Sequence, residues 1–226
     1  MHKLAQAVLG FILFITLVIS ALAQTRVEAT TSGGSAGINY RFLFENEKFI
    51  TQRQEIQFDQ TGHGQYSFKK KGNDEISNRL EVSQELVAQI QSLLGALNFL
   101  ESSEDYQHKK DFSHLGTITF THARGSRERT VKLNYTINPA MSRLVDIFRN
   151  IATQEERVFE LQSVRQNDPI STPAQLRMLE SELKSRRIAE PRRLTPLLEE
   201  IKTDESVPLI ARNHAERLLK SIRTGK

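Results

Sequence analysis

Residues 38–45, INYRFLFE, place Ile38, Tyr40, Phe42 and Phe44 on one side of an extended chain and Asn39, Arg41, Leu43 and Glu45 on the other. A two-residue period is that of a β-strand with one buried face. The pattern returns in 53–59, RQEIQFD, through Ile56 and Phe58, and in 65–69, QYSFK, through Tyr66 and Phe68. Between these two, QTGHG (60–64) holds two glycines, which take the positive φ of a tight hairpin without steric cost. Three antiparallel strands are the simplest account.

The period then changes. Leu86, Val87, Ile90, Leu93, Leu94 and Leu97 recur at three- and four-residue steps, the stripe of an amphipathic helix. Ser83 is placed to cap its first turn and Val82 to pack over Val87, which predicts a helix from about 83 to about 98. Alternation resumes in GTITFTH (116–122), through Ile118, Phe120 and His122, and in RTVKLNYT (129–136), through Val131, Leu133 and Tyr135. The polar link ARGSRE (123–128) joins these into a second hairpin. The glycosylation sequon Asn134-Tyr135-Thr136 falls inside the predicted strand and is read as accidental.

Beyond residue 138 the spacing is helical. Asn138 followed by Pro139 reads as a cap and first-turn proline for a long helix to about 165, and Thr172-Pro173-Ala174-Gln175 reads as a capping box opening the next. Thr195-Pro196 opens another helix, and a last one follows Ser206. The expected fold is α+β: an antiparallel sheet of about five strands, β-β-β-α-β-β, packed with a helix over 38–137. An all-helical region over 138–226 follows and packs on it.

The N-terminus, MHKLAQAVLGFILFITLVISALAQ, has a basic start, an apolar run and an Ala21-Leu22-Ala23 ending. This is the pattern of a secretory signal peptide over 1–23 with cleavage after Ala23; the alternative is an uncleaved inner-membrane anchor. Residues 24–37, small and polar, read as a flexible leader. The chain has no cysteine, which excludes disulfides, thiol nucleophiles and thiolate metal sites, and an exported protein without disulfides fits a bacterial envelope. Its +4 formal charge is spread through mixed acidic and basic residues, unlike the one-sided basic face of a nucleic-acid binder.

The segment EDYQHKKDFSHLG (104–116) holds the densest set of reactive side chains. Asp105, His108, Asp111 and His114, with His122 from the next strand, are ligand types for a divalent metal. Their spacing fits neither a zinc finger nor a metalloprotease helix, and the competing reading is a polar loop leaving a helix, anchored by Tyr106 and Asp111. His122 also reads as a satisfied core histidine, His63 as a residue at a hairpin tip, and His214 as lying near the surface of the last helix. KKKG (69–72) reads as protection of a sheet edge. No GxSxG elbow follows a strand, and neither a GxxxxGK[ST] phosphate loop nor a GxGxxG turn is present. No catalytic residue and no cofactor is assigned.

Three strands, a helix near VSQELVAQI, NFLESSEDY leaving it, an Asp five residues after the Tyr, and a TITF strand together resemble a domain-of-unknown-function family of bacterial exported proteins, over about 38–156. The resemblance implies export and an α+β fold, places Tyr106 and Asp111 at the family's Tyr and Asp positions, and supplies no activity. The last two helices, LTPLLEEIKTDESVPLIARNHAERLLKSI (194–222), resemble one HEAT-type hairpin. The expectation is a periplasmic or extracellular binding or structural module, with another envelope protein as partner and no nucleic acid. Membrane contact is expected only if the first segment stays uncleaved. The alternative is a metal-dependent or acid/base hydrolase using residues 105–114.

Overall fold

The computed structural model describes residues 38–225; the signal segment and leader of the sequence reading lie outside the described residues. Strands β1 (Ile38–Glu45), β2 (Thr51–Asp59), β3 (His63–Lys70) and β4 (Glu75–Glu81) precede helix α1 (Gln84–Ala96), and β5 (Thr117–Arg124) and β6 (Arg127–Leu133) follow it. All six form one antiparallel sheet in the order β4-β3-β2-β1-β5-β6. Helices α2 (Pro139–Asn167), α3 (Thr172–Lys184), α4 (Thr195–Thr203) and α5 (Leu209–Thr224) complete the chain.

The α+β architecture matches the expectation, with one strand more than the five expected. The extra strand, β4, reads EISNRLE and offers only Ile76 and Leu80 to the inner face, with Asn78 between them opposite Tyr66. An edge strand needs only one partner and tolerates this polarity, so its periodic signal is weak. Its presence makes β3 an internal strand, so the lysines of 69–71 do not protect an edge. Lys70 instead reaches across to α2, where it pairs with Glu156 at 3.1 Å and with Glu160.

The second hairpin also ends earlier than its alternation suggested. Strand β6 stops at Leu133, because Gln107 takes the backbone N–H of Asn134 at 2.8 Å and the Tyr135 carbonyl accepts from the N–H of His108 at 2.9 Å. The Asn134 sequon therefore sits in a loop, and Tyr135 is substantially exposed.

Alternate residues of the strands build the first core. Phe42 pairs in register with Ile56 and Phe120, and all three are buried. Phe148 of α2 covers this centre, with its ring 5.3 Å from Phe42, 5.8 Å from Phe58 and 5.3 Å from Phe120. Helix α1 starts where Ser83 Oγ accepts the Leu86 N–H at 3.2 Å, and it buries Leu86, Val87, Ile90 and Leu94 against the same side. A second apolar cluster joins Leu161 of α2 to α3, α4 and α5. One long helix thus serves two cores: Met141 to Ala152 face the sheet, and Leu161 faces the helices.

Polar groups hold the junction. Arg157 is buried and makes a two-pronged pair with Glu182, Nε to Oε2 at 2.9 Å and Nη2 to Oε1 at 2.8 Å, while Nη1 donates to Gln175 at 2.5 Å. This replaces the expected capping box. Thr172 already has helical angles because a 3₁₀ turn at Pro169–Ser171 leads into α3, so it does not cap, and Gln175 is free to receive Arg157. Glu190 accepts the Ser83 N–H at 3.2 Å, and its own N–H donates to Gln154 at 2.8 Å. The start of α1 is therefore tied to α2 through the chain between α3 and α4.

Removing one partner from a buried ion pair leaves an uncompensated charge. Glu182→Ala is expected to cost about 3–5 kcal/mol in urea denaturation, whereas replacing both Arg157 and Glu182 by apolar residues of similar volume should cost far less. Equal losses in the two variants would show that the pair contributes packing alone.

Candidate functional site

Because α1 and α2 cover one face of the sheet, the odd-phase side chains of the same strands make the other face. The registers align one row across all six strands: Arg79, Gln65, Gln57, Arg41, Thr121 and Thr130. The next row reads Ser77, Ser67, Glu55, Leu43, Thr119 and Lys132. Neighbouring strands lie about 4.8 Å apart, so each row crosses the whole sheet, polar throughout in the first and interrupted only by Leu43 in the second. Between the two edges lies a broad open depression of about 920 Å³, bordered by Asp59 and His63 at one end.

Beside the depression, and sharing Arg41 and Gln57 with its lining, stands a fixed electrostatic cluster. Glu55 is buried although it stands on the solvent side, because Arg41 (Nε to Oε1, 2.6 Å), Arg53 and Gln57 close over it. Burial alone would raise its pKa; hydrogen bonds from Gln57 and Arg41 and the charges of Arg53 and Arg41 outweigh burial and hold the carboxyl below its ordinary value. Arg53 continues to Glu75 at 2.8 Å, linking β2 to the edge strand β4. Thr121 and Thr130 share a hydroxyl hydrogen bond at 2.8 Å, and Gln65 donates to Ser77.

Chemically, this face offers amides, hydroxyls and guanidinium groups. The two aromatic residues that border it, Tyr40 and Phe58, turn their rings into the core. It therefore lacks the stacking platform that single-stranded nucleic acids use, and suits a polar ligand held by hydrogen bonds. Asp59 and His63 do not form an acid/base dyad: Asp59 accepts the backbone N–H groups of Thr61 and His63, at 2.8 and 3.3 Å, and the His63 ring lies against Thr61.

The residues of 104–116 lie elsewhere, at the end of β6. Tyr106 is buried, lies 6.3 Å from the Phe99 ring and parallel to it, and is covered by the Arg129 guanidinium at 5.3 Å. Arg129 in turn donates to the carbonyls of Phe99 and Glu104 at 2.7 and 2.6 Å. Asp111 accepts the Ser113 N–H at 2.7 Å and its hydroxyl at 3.2 Å, and Asp105 accepts the Gln107 N–H at 3.0 Å. His108 Nδ1 accepts the Lys110 N–H at 3.0 Å, and exposed His114 offers its carbonyl to Asn46. His122 points into the core, stacked on Tyr40 at 5.1 Å, with Nδ1 donating to the Asn39 carbonyl at 3.3 Å. Burial lowers its pKa, against the smaller effect of that hydrogen bond. Asp105, His108, Asp111, His114 and His122 are thus not gathered around one point. Among the described residues no group of three or more His, Cys, Asp or Glu is placed to hold a metal ion. His214, expected near the surface, is buried and bonded through Nε2 to Glu180 at 3.0 Å, because its face of α5 packs on α3.

The sheet-face site left a trace in the sequence: the polar positions between the apolar ones. What periodicity did not carry was the register that aligns them across six strands.

Two outcomes follow from this geometry. Since folding lowers the Glu55 pKa, its stabilisation is present above the ordinary carboxylate value near ~4.3 and lost as pH falls through the lower folded value. Urea denaturation between about pH 7 and about pH 3 should show a steeper loss for the parent than for Glu55→Gln; parallel profiles would contradict the assignment. In the loop, Tyr106→Ala should cost about 3–5 kcal/mol and Asp111→Ala about 1 kcal/mol or less, read from chemical denaturation midpoints.

No family model and no curated protein sequence matches the chain.

Proposed function

We infer that this is an exported, non-catalytic binding module of a bacterial envelope that presents the open face of its sheet to a polar partner. The observation that carries the reading is the pair of polar ladders over a depression of about 920 Å³, backed by helices on one side only. Export is supported by the basic, apolar and small-residue sequence of 1–23 and by the absence of cysteine. Among the described residues no helix is long and apolar enough to cross a membrane. Membership of the exported family that 38–156 resembles, and a HEAT-type reading of α4 and α5, belong to the same proposal.

Photo-crosslinking in the native envelope tests it. A crosslinking residue at Gln57 or Thr121 should give a discrete adduct, and one at Met178, half exposed on α3, should not. Mass spectrometry of the same material should find a chain beginning after Ala23. Equal labelling from all three positions would remove the sheet face as the site, and an intact Met1 would replace export with anchoring.

A further inference from the structure

A second depression, of about 360 Å³, lies where the 107–111 segment meets the ends of β5 and β6. Lys109, Lys110 and Lys132 line it together with His108. Residues 109 and 110 are about 22 positions from Lys132 in the chain, and β6 brings them to one rim. The floor is rigid. Gln107 donates to the His108 carbonyl and to Asn134 Oδ1, both at 2.8 Å, and accepts the Asn134 N–H at 2.8 Å.

Positive charge is in excess at the rim. Asp111 is the one carboxylate there; its oxygens accept the N–H and hydroxyl of Ser113, and its single charge offsets only one of the three lysines. Among the described residues none of the three lysines has an acidic partner, whereas Lys70, Lys184 and Lys202 do. His108 Nδ1 accepts a backbone N–H at 3.0 Å, which leaves Nε2 as a donor. Lys110 Nζ is held 5.6 Å from the Phe112 ring, which itself packs 4.6 Å from Tyr135.

We propose that this lysine-rimmed depression binds a phosphate group. Three ammonium point charges with no guanidinium fork favour a compact, multiply charged oxyanion over a planar carboxylate. The volume suits a head-group-sized ligand. Lys132 also ends the second row of the sheet face, but this depression shares no lining residue with the larger one, and the proposal does not depend on the reading above. A phosphorylated sugar in solution and a phospholipid head group share this chemistry.

Calorimetric titration of the full chain with glucose 6-phosphate, inorganic phosphate and glucose, alongside sedimentation with phosphatidylglycerol vesicles, separates the sources. The expected result is binding of the phosphorylated probe but not of glucose, weakened by salt. Replacing Lys109, Lys110 and Lys132 together by Gln should weaken it at least about tenfold, with Lys184→Gln, on α3 and outside both depressions, unchanged. Loss of vesicle binding in the triple variant, with no binding of free glucose 6-phosphate, would assign the head group. Lys132→Gln alone, with melting unchanged, guards against misfolding and should lower affinity about threefold. Equal binding of glucose, no binding in either arm, or binding that survives the triple substitution would overturn the proposal.

Discussion

The position of Phe148 governs this molecule. One ring from the middle of α2 covers Phe42, Phe58 and Phe120 on three adjacent strands, and it is fully buried. A helix seated there must lie along the inner face of the sheet, and α1 takes the remaining apolar area on the same side. All helical covering is then on one face. The other keeps its polar ladders exposed, and the surface available for recognition is a consequence of how the core closes.

The same helix extends past the sheet. At about 1.5 Å per residue its 29 residues span about 44 Å, more than the sheet can cover. Leu161 enters the second apolar cluster, and between the two cores stands Arg157 with Glu182 and Gln175. A charge at that place is stable only when every donor is answered, which fixes α3 against α2 in one orientation. Lys70 with Glu156 and Glu160, and Glu190 on the N–H of Ser83, pin the helical part to the sheet from two further directions.

The segment 104–116 illustrates how composition and geometry differ. Its acids and histidines resembled a ligand set, yet their spacing is that of successive turns, with Asp105, His108 and Asp111 each answering a backbone N–H two residues on. Tyr106 is buried with its ring against Phe99 and Arg129, and Asp111 accepts hydrogen bonds within a local turn. The lysines beside them leave no comparable signal in the sequence because a lysine has no signature spacing. Their convergence depends on where β6 ends.

Most of the element types and their buried faces could be read directly from the chain, because side-chain periodicity is a local property: two residues per repeat in β1, β2, β3 and β5, and three to four in the helices. The caps at Ser83 and Asn138 were legible for the same reason, since each acts within its own first turn. Strand β4 was not, because an edge strand with a polar inner residue has little periodic signal. Nor was the partner of Gln175, because Arg157 lies a helix away. The alignment of Arg79 with Thr130 across six strands, and the meeting of Lys109, Lys110 and Lys132 at one rim, were decided only by tertiary structure. Both rest on pairings between residues distant in sequence, and those are set by which apolar faces share a core.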